Sequence, residues 1–326
     1  MQKPLLSVVI PTLNRVELLQ LSVQALLEQI VPHADKIEFL LLNNASEDGT
    51  ADWLENTFMN HPVVRYINFT ERVEIADSIS RCATYSIGEY LWVFGDDDLA
   101  MPFAIETIIR QLETHPTYGI FYFNCLRGER HLKEYINLFE YRIDLQPATF
   151  SLDSFISEFN PIHLGFITAL VFRRDNWQNG KEFYKETYYG YNFLGPILGG
   201  NQGQPCLYYS FPIVICRLGP QRYLRKWPLY TLVGIPNILK DVANAKLTTQ
   251  RPLEKWSDRQ TLVGLIKTAV LAKAYDYGTS HFFWTDALTY QQGFRRTCMQ
   301  WIRYGLPAWL ARFIFEQFAD RNTPKA

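Results

Sequence analysis

Short apolar runs alternate with amphipathic stretches over the first 125 residues. Four runs with the length of buried strands cover residues 5–11, 37–43, 63–68 and 89–94. The stretch between the first two runs places Leu19, Val23 and Leu26 at helical spacing, with Asn14 and Glu17 spaced as a capping box at its start. This alternation of strands and helices predicts an open, mostly parallel α/β sheet flanked by helices.

The pattern changes along the second half of the chain. Two further apolar runs, 119–125 and 166–172, predict additional strands. Beyond about residue 230 the periodicity becomes helical, with segments at 236–246, 258–276 and 284–318, the last broken at Pro307. We therefore expect an α/β domain over 1–225 and a helical C-terminal region over 226–326 that packs on it.

Composition narrows the class of protein. The chain has 326 residues and five scattered cysteines without a CxxC pair, so neither a disulfide framework nor a zinc site is indicated. No apolar run reaches the roughly 18 residues of a membrane span, and the N-terminus reads as a strand rather than a signal peptide. We expect a reducing, cytoplasmic location.

Charge is divided unevenly along the chain. Residues 217–326 hold 17 Lys and Arg against 7 Asp and Glu, whereas residues 1–216 hold 15 against 26. A basic tail on an acidic body indicates either an anionic partner for the tail or a basic surface without a ligand.

Three polar clusters follow predicted strands, where open α/β sheets gather their ligands. The first is GDDD at 95–98, three adjacent carboxylates after a buried strand. Their mutual repulsion favours a hard divalent cation, Mg²⁺ or Mn²⁺, that also binds substrate phosphates. The alternative is an acidic turn that caps the next helix.

The other two clusters suit a nucleotide. In NNASEDGT at 43–50, Asn43 offers both a donor and an acceptor to a base or ribose, although a tight Asp-Gly loop has the same composition. In PTLNR at 11–15, Thr12 and the following helix N-terminus suit a nucleotide, although a strand end with a helix cap explains them equally well.

Together these segments resemble the inverting family 2 glycosyltransferases. The resemblance rests on SVVIPTLNR at 7–15, LLLNNASEDGT at 40–50 and SIGEYLWVFGDDDLAMP at 86–102. LGFITALVFRRDNW at 164–177 is similar to the branch that contains O-antigen abequosyltransferases. The resemblance implies a GT-A (Rossmann-like) fold and transfer of a hexosyl or deoxyhexosyl group from a nucleotide sugar, in bacterial O-antigen or exopolysaccharide synthesis.

The resemblance also assigns residues on the donor side. It implies Asp97 and Asp98 as ligands of Mn²⁺ or Mg²⁺, and a donor nucleotide held by Pro11, Thr12, Asn14, Arg15, Asn43, Asn44, Ser46, Arg81 and Asp96. Arg72 is an alternative to Arg81 as the group that neutralises the pyrophosphate. Asn43 stands where the family usually has an aspartate that reads uracil, so UDP, GDP, CDP and dTDP donors all stay open. Gly95 stands where the commoner form of the family's motif, DxDD, has its first aspartate.

On the acceptor side the family's acidic base is missing. Tyr191 and Asn192 occupy its place, and an amide cannot act as a base. We favour Glu186 as the base, and the other candidates are Glu182, Asp175, Asp153 and His163. Tyrosines in 184–191 suit stacking against a sugar of a glycan or lipid-linked glycan acceptor, or simple packing.

The last predicted helix, 294–318, combines aromatic and basic residues. This composition fits an interfacial helix on the inner face of the cytoplasmic membrane, and it also fits a helix that packs between domains. A nucleic-acid polymerase is disfavoured because the acidic body has no basic channel. A sugar-nucleotide pyrophosphorylase would need a Gly-rich loop in place of PTLNR. A non-catalytic sugar-nucleotide-binding or assembly protein of the same fold is the remaining alternative.

Overall fold

The structure is a computed structural model. It describes residues 3–128, 135–138, 146–159, 161–217, 226–274 and 281–314.

The chain divides into two compact units. The N-terminal unit comprises Met1–Tyr184 and Asn192–Pro220, and the C-terminal unit comprises Lys185–Tyr191 and Gln221–Ala326. The short segment Lys185–Tyr191 therefore groups with the C-terminal helices, although it lies between two segments of the N-terminal unit. The expected boundary at residue 225 falls outside the described residues.

The N-terminal unit is built on one sheet. Among the described residues its strands are β1 (Leu6–Thr12), β2 (Ile37–Asn43), β3 (Val64–Asn68), β4 (Tyr90–Val93), β5 (Leu99–Ala100), β6 (Ile120–Gly128), β7 (Tyr135–Leu138), β8 (Ala148–Phe150), β9 (Leu170–Arg173) and β10 (Cys206–Arg217). Their order is β3-β2-β1-β4-β9-β6-β10-β5, with β7 beside β6 and β8 beside β10.

The central strands are mostly parallel, as the alternating pattern predicts. Strands β3, β2, β1 and β4 run in one direction, and β6 and β10 run the same way. Strand β9 lies antiparallel between β4 and β6. Every residue of β2 is buried, which explains why its sequence, IEFLLLN, shows no polar alternation.

Helices connect these strands and build the C-terminal unit. Those of the N-terminal unit are α1 (Val16–Ile30), α2 (Thr50–Phe58), α3 (Ile75–Tyr85), α4 (Ala104–Thr114), α5 (Leu152–Glu158), α6 (Pro161–Leu164), α7 (Arg174–Asn179) and α8 (Leu194–Gly199). Those of the C-terminal unit are α9 (Trp227–Leu229), α10 (Ile235–Asn244), α11 (Arg251–Arg259), α12 (Leu262–Ala274), α13 (His281–Thr289) and α14 (Gly293–Gly305), with a further helical stretch at 308–314.

The structure differs from the strand predictions at β9 and β10, and the short strands β5, β7 and β8 were also not predicted. Strand β9 begins at Leu170 rather than 166, because Ile167–Ala169 form a 3-10 turn. Strand β10 was not predicted: its sequence, CLYYSFPIVICR, contains a proline, and its pairing with β6 is interrupted by a bulge between Tyr209 and Val214. Proline is tolerated in a strand at such an irregularity.

The C-terminal unit has its own apolar core and more helices than predicted. The expected helix at 258–276 begins only at Leu262, because Thr261 accepts a hydrogen bond from the Gly264 N–H and starts α12 there, and α11 before it was not predicted. Pro307 lies between α14 and the helical stretch 308–314, as expected. Over the described part of the chain, no helix combines the length and apolarity needed to cross a bilayer.

Strand direction decides which loops meet. Thr12, Asn43 and Asn68 end β1, β2 and β3 in register, so they lie side by side at the carboxyl edge of the sheet. The GDDD loop follows β4 at the same edge. Because β9 runs the other way, the residues before it, including Thr168, also reach this edge.

Candidate active site

The acidic triplet is held in a loop between β4 and β5. The Phe94 N–H donates to the Val9 carbonyl and extends the pairing of β4 with β1, after which Gly95 begins the turn. A Cβ at residue 95 would lie 2.6 Å from Asp98 Oδ2 and 3.2 Å from Thr168 Oγ1. Glycine at this position therefore leaves room for the Asp98 carboxylate, and the aspartate of the commoner family spelling does not fit this arrangement.

Asp98 points into the protein. Its Oδ2 accepts a hydrogen bond from Thr168 Oγ1 at 2.6 Å, and its Oδ1 accepts one from the Arg217 N–H at 3.2 Å. Burial and the nearby Asp97 carboxylate raise the pKa of Asp98 to about 8. Both oxygens of Asp98 thus already have protein partners.

Asp96 and Asp97 form ion pairs with the same arginine. Arg15 Nη1 lies 2.8 Å from Asp96 Oδ1 and 2.8 Å from Asp97 Oδ2. Asp96 is buried, and its other oxygen accepts a hydrogen bond from Thr12 Oγ1 at 2.9 Å. Burial raises the pKa of Asp96, an effect that the Arg15 charge opposes. The Asp97 side chain is 23% exposed, so it is the most accessible carboxylate of the triplet in this conformation.

The backbone of the triplet is fixed by two residues that the sequence did not single out. Ser22 Oγ, on α1, donates to the Asp98 carbonyl at 2.7 Å. Arg217 Nε donates to the Asp97 carbonyl at 2.9 Å. Arg217 ends β10, so missing that strand concealed the residue, whereas Ser22 lies on a helix face with no sequence signal.

The loops after β1 and β2 are joined by reciprocal hydrogen bonds. The Asn14 N–H donates to Ser46 Oγ at 2.9 Å, and Asn14 Oδ1 accepts from the Glu47 N–H at 2.7 Å. Asp48 Oδ2 accepts from the Val16 N–H, the first of α1, at 2.8 Å. The expected capping box of Asn14 with Glu17 is therefore wrong, because Asp48 of the neighbouring loop takes that role and Asn14 bonds across to Glu47.

Asn43 is buried with both ends of its amide engaged. Its Oδ1 accepts from the Ser46 N–H at 3.0 Å, and its Nδ2 donates to Asn68 Oδ1 at 3.0 Å. Asn68 is exposed at the end of β3 and was not among the predicted residues. Its place at the end of the predicted strand 63–68 was the available signal. Pro11 lies within β1, opposite Leu42.

Asn44 and Arg81 order the loop after β3. The Asn44 amide donates to the Val73 carbonyl at 2.9 Å and accepts from the Val73 N–H at 3.0 Å. Arg81 Nη1 donates to Asn44 Oδ1 at 3.1 Å, and its guanidinium carbon lies 4.0 Å from the centre of the Phe69 ring. Arg72 is exposed in the same loop.

The candidate bases are dispersed. Asp175 follows the end of β9. Asp153 follows β8, whose last residue, Phe150, pairs with the first residue of β10. Both aspartates therefore lie at the amino edge of the sheet, opposite the triplet. His163, in α6, is half-buried, and Glu182 is exposed. Glu186 is exposed in a 3-10 turn of the C-terminal unit, Glu186–Tyr188.

The carboxylates of the triplet suit a hard divalent cation that is also bound by a substrate phosphate. Among the described residues, no three or more His, Cys, Asp or Glu side chains converge as a metal cage. A magnesium-type site usually takes one or two carboxylates and completes its shell with water and substrate phosphates. Because the Arg15 guanidinium already bridges Asp96 and Asp97, the position between these carboxylates accommodates a cation.

Comparison with solved structures shows a shared fold. TarS residues 1–349 from S. aureus has a TM-score of 0.59 at 10% identity, covering 98% of this chain and 93% of that one, and its complex with UDP-GlcNAc scores 0.57 at 11% with the same coverage. Mannosyltransferase PcManGT from Pyrobaculum calidifontis, in complex with GDP-Man and Mn²⁺, has a TM-score of 0.50 at 17% identity and covers 94% and 88%. No curated protein matches the chain in sequence.

The family itself is identified from the sequence. The model of the family named Glycosyl transferase family 2 matches residues 7–176, which is more than half of the chain and includes the loops after β1, β2, β3 and β4. The chain therefore belongs to glycosyltransferase family 2.

Proposed function

We propose that this chain is an inverting glycosyltransferase that moves a hexosyl or deoxyhexosyl group from a nucleotide sugar to an acceptor hydroxyl. The observation that carries the proposal is the paired contact of Arg15 with Asp96 and Asp97, at the edge where the nucleotide-suited loops also meet. This contact places one guanidinium and two carboxylates at a single point, and these are groups that can bind a donor diphosphate and its divalent cation, which supports the proposal.

The donor nucleotide lies along the carboxyl edge in this proposal. Asn43 and Asn68 face the base, Thr12 and Asp96 face the base and ribose, and Arg81 faces the pyrophosphate. The contacts of Asn14, Asn44 and Ser46 within and between their loops support a preorganised pocket. Preorganisation lowers the entropy lost on binding.

Asp97 is the proposed metal ligand, for Mn²⁺ or Mg²⁺. Asp98 was expected as a second ligand, but its two protein hydrogen bonds favour a positioning role that fixes the triplet. When bound, the metal neutralises charge that develops on the diphosphate leaving group. Arg15 pairs with both Asp96 and Asp97, so its guanidinium would also be within reach of an anionic oxygen of a donor held there.

The reaction is a direct displacement at the anomeric carbon. A base takes the proton of the acceptor hydroxyl while its oxygen forms the new glycosidic bond, the bond to the nucleoside diphosphate breaks, and the anomeric configuration inverts. We propose Glu186 as this base on grounds of sequence position and its exposed carboxylate. The matched pair Glu186→Gln and Glu182→Gln tests it: loss of kcat in the first alone is expected, and full kcat in Glu186→Gln overturns the assignment.

The acceptor and setting follow from the resemblance to surface-polysaccharide transferases of the abequosyltransferase branch. We propose a glycan or lipid-linked glycan acceptor, a cytoplasmic location with peripheral attachment to the inner face of the membrane, and a role in O-antigen or exopolysaccharide synthesis. The structural neighbours form complexes with UDP, UDP-GlcNAc and GDP-Man, so proteins of this fold bind more than one nucleotide.

A second candidate function is a non-catalytic sugar-nucleotide-binding or assembly protein of the same fold. It is favoured by the buried Asn192 at the place of the family's acidic base. Turnover with a matched donor and acceptor separates the two functions, because a binding protein retains affinity but releases no nucleoside diphosphate.

Calorimetric titration of UDP, GDP, CDP and dTDP, with and without Mn²⁺, tests the proposed donor site. Tight binding of one nucleotide that depends on Mn²⁺ is expected, and the preferred base identifies the donor class. Asp175→Asn is the matched control, because this carboxylate lies at the opposite edge of the sheet. Failure of all four nucleotides to bind with the metal present overturns the proposal.

A further inference from the structure

The end of the C-terminal unit exposes a group of large aromatic side chains. Each is between 56% and 74% exposed, and we call these five residues the aromatic face: Phe294, Trp301, Tyr304, Trp309 and Phe313. Phe294 and Trp301 are seven residues apart on α14, two helical turns, so they lie on the same side. Trp309 and Phe313 are four residues apart in the stretch 308–314 and are also neighbours.

The opposite side of the same helices anchors the fold. Met299, Ile302, Leu306 and Ala311 are buried in the core of the C-terminal unit, where they pack with residues such as Trp284. The aromatic face is therefore not needed to fill that core. Trp301 is further accommodated by Gly305, since a Cβ there would lie 3.3 Å from the indole Nε1.

The charged residues of the segment that carries the aromatic face have one sign. Residues 293–314 contain four arginines and no acidic residue: Arg295, Arg296, Arg303 and Arg312. The Arg303 guanidinium carbon lies 4.7 Å from the centre of the Tyr304 ring, so charge and aromatic surface are adjacent. This surface complements an anionic partner that also offers apolar surface.

A lipid bilayer with anionic headgroups has both properties. Tryptophan and tyrosine favour the headgroup region of a bilayer, where their rings are in an apolar environment and their polar atoms reach water. Arginines beside them gain from the negative surface potential of anionic lipids. Neither α14 nor any other helix of the described chain is long and apolar enough to span the membrane, so a surface location is what the chemistry supports.

We infer that the aromatic face of residues 294–314 docks the protein on the surface of an anionic bilayer. The docking is electrostatic at first encounter and is completed when the aromatic rings enter the headgroup region. The inference deepens the proposed function, on which it rests in one respect: a lipid-linked acceptor makes attachment useful to the enzyme.

Flotation of the purified full-length chain with vesicles tests this inference without any donor or acceptor. The vesicles are phosphatidylcholine alone or phosphatidylcholine with one quarter phosphatidylglycerol. We expect binding to the anionic vesicles that weakens with added salt, and little binding to the zwitterionic ones. Trp301→Ala combined with Trp309→Ala is expected to reduce binding more than tenfold, and Arg296→Ala about fivefold.

Two controls keep the result specific. Met59→Ala removes an exposed apolar side chain in the N-terminal unit and is expected to leave vesicle binding unchanged. The helix content of the tryptophan variant and its urea denaturation are expected to equal those of the parent, which shows that the C-terminal unit is still folded. Vesicle binding is measured without any nucleotide. The membrane inference can therefore fail while the proposed donor site is supported, and the donor site can fail while the membrane inference is supported.

Three results would overturn the inference. One is equal binding of the parent chain and the double tryptophan variant to anionic vesicles. Another is no binding of the parent to anionic vesicles at low salt. The third is a self-associated parent that binds no vesicles and becomes monomeric in the tryptophan variant, which would assign the face to a second copy of the chain.

Discussion

Thr168 Oγ1 donates a hydrogen bond of 2.6 Å to Asp98 Oδ2 and joins the turn before β9 to the loop after β4. The two residues are 70 positions apart in the chain, and the contact exists because β9 runs antiparallel to β4. It turns the third aspartate of the triplet inward. Asp97 is left as the most accessible carboxylate of the triplet.

Removing this hydrogen bond should loosen the triplet. Thr168→Val keeps the side-chain shape but removes the hydroxyl that bonds the buried Asp98 side chain and accepts from the Gly95 N–H, so we expect a loss of about 1–3 kcal/mol in the free energy of unfolding. Mn²⁺-dependent nucleotide affinity should fall as well. Urea denaturation and calorimetry measure the two effects. Thr168→Ser retains the hydroxyl and should stay close to the parent, and a valine variant as stable as the parent would contradict this role.

The metal assignment of Asp97 predicts a defect in function and not in folding. Asp97→Ala should abolish transfer and remove the Mn²⁺ dependence of nucleotide binding. Because its side chain is partly exposed, the free energy of unfolding should change by about 0.5 kcal/mol or less. Activity assays, calorimetry and urea denaturation test these points. Retained activity would refute the assignment, and Asp175→Asn at the opposite edge is the matched control.

The side chain at position 43 should affect which nucleobase the donor site prefers. Asn43 donates through Nδ2 to Asn68 Oδ1, and a carboxylate at this position cannot make that bond. In Asn43→Asp we expect the Asn68 amide to turn its NH₂ group toward residue 43, and the affinity for UDP relative to the other three nucleotides to rise about tenfold or more. Titration of all four nucleotides measures the ratio. An unchanged ratio would show that Asn43 does not select the base.

Asp48 should stabilise α1 in a pH-dependent way. Burial opposes its ionisation, but hydrogen bonds from Thr50 and from the Val16 N–H prevail and lower the pKa of Asp48. A lowered pKa means that the stabilisation is present above the unfolded-state value of 3.8 and is lost as the pH falls below it. Asp48→Ala should cost about 1 kcal/mol at pH 7.

The same variant gives the pH test by urea denaturation at two pH values. The difference between Asp48→Ala and the parent should be large at pH 7 and should shrink near pH 3. Asp48→Asn, which keeps an acceptor oxygen without the charge, should lie between them at pH 7. A difference that does not depend on pH would contradict the assigned cause.

The sequence alone predicted the strands from β1 to β4, the strand β6 and the edge at which the loops after β1, β2 and β4 meet. Buried strands such as Ile37–Asn43 appear as apolar runs because parallel strands are covered on both faces. Parallel strands end at one edge, so strand periodicity by itself predicts that the polar residues after 11, 43 and 94 lie together. A proline and a bulge concealed β10, and with it Arg217.

The tertiary structure decided the direction and the partner of each side chain. Three adjacent aspartates are identical in sequence, but Thr168 and the Arg217 N–H bind Asp98, while Arg15 binds Asp96 and Asp97. These partners come from separate strands and loops, and no local pattern encodes which of them lies within hydrogen-bond distance. The sequence by itself determined where most strands lie, because hydrophobic periodicity is a local property, and the alternation of strands with helices predicted which loops share an edge. Only the packed sheet decided which carboxylate is buried and which faces solvent, because that depends on contacts between residues far apart in the chain.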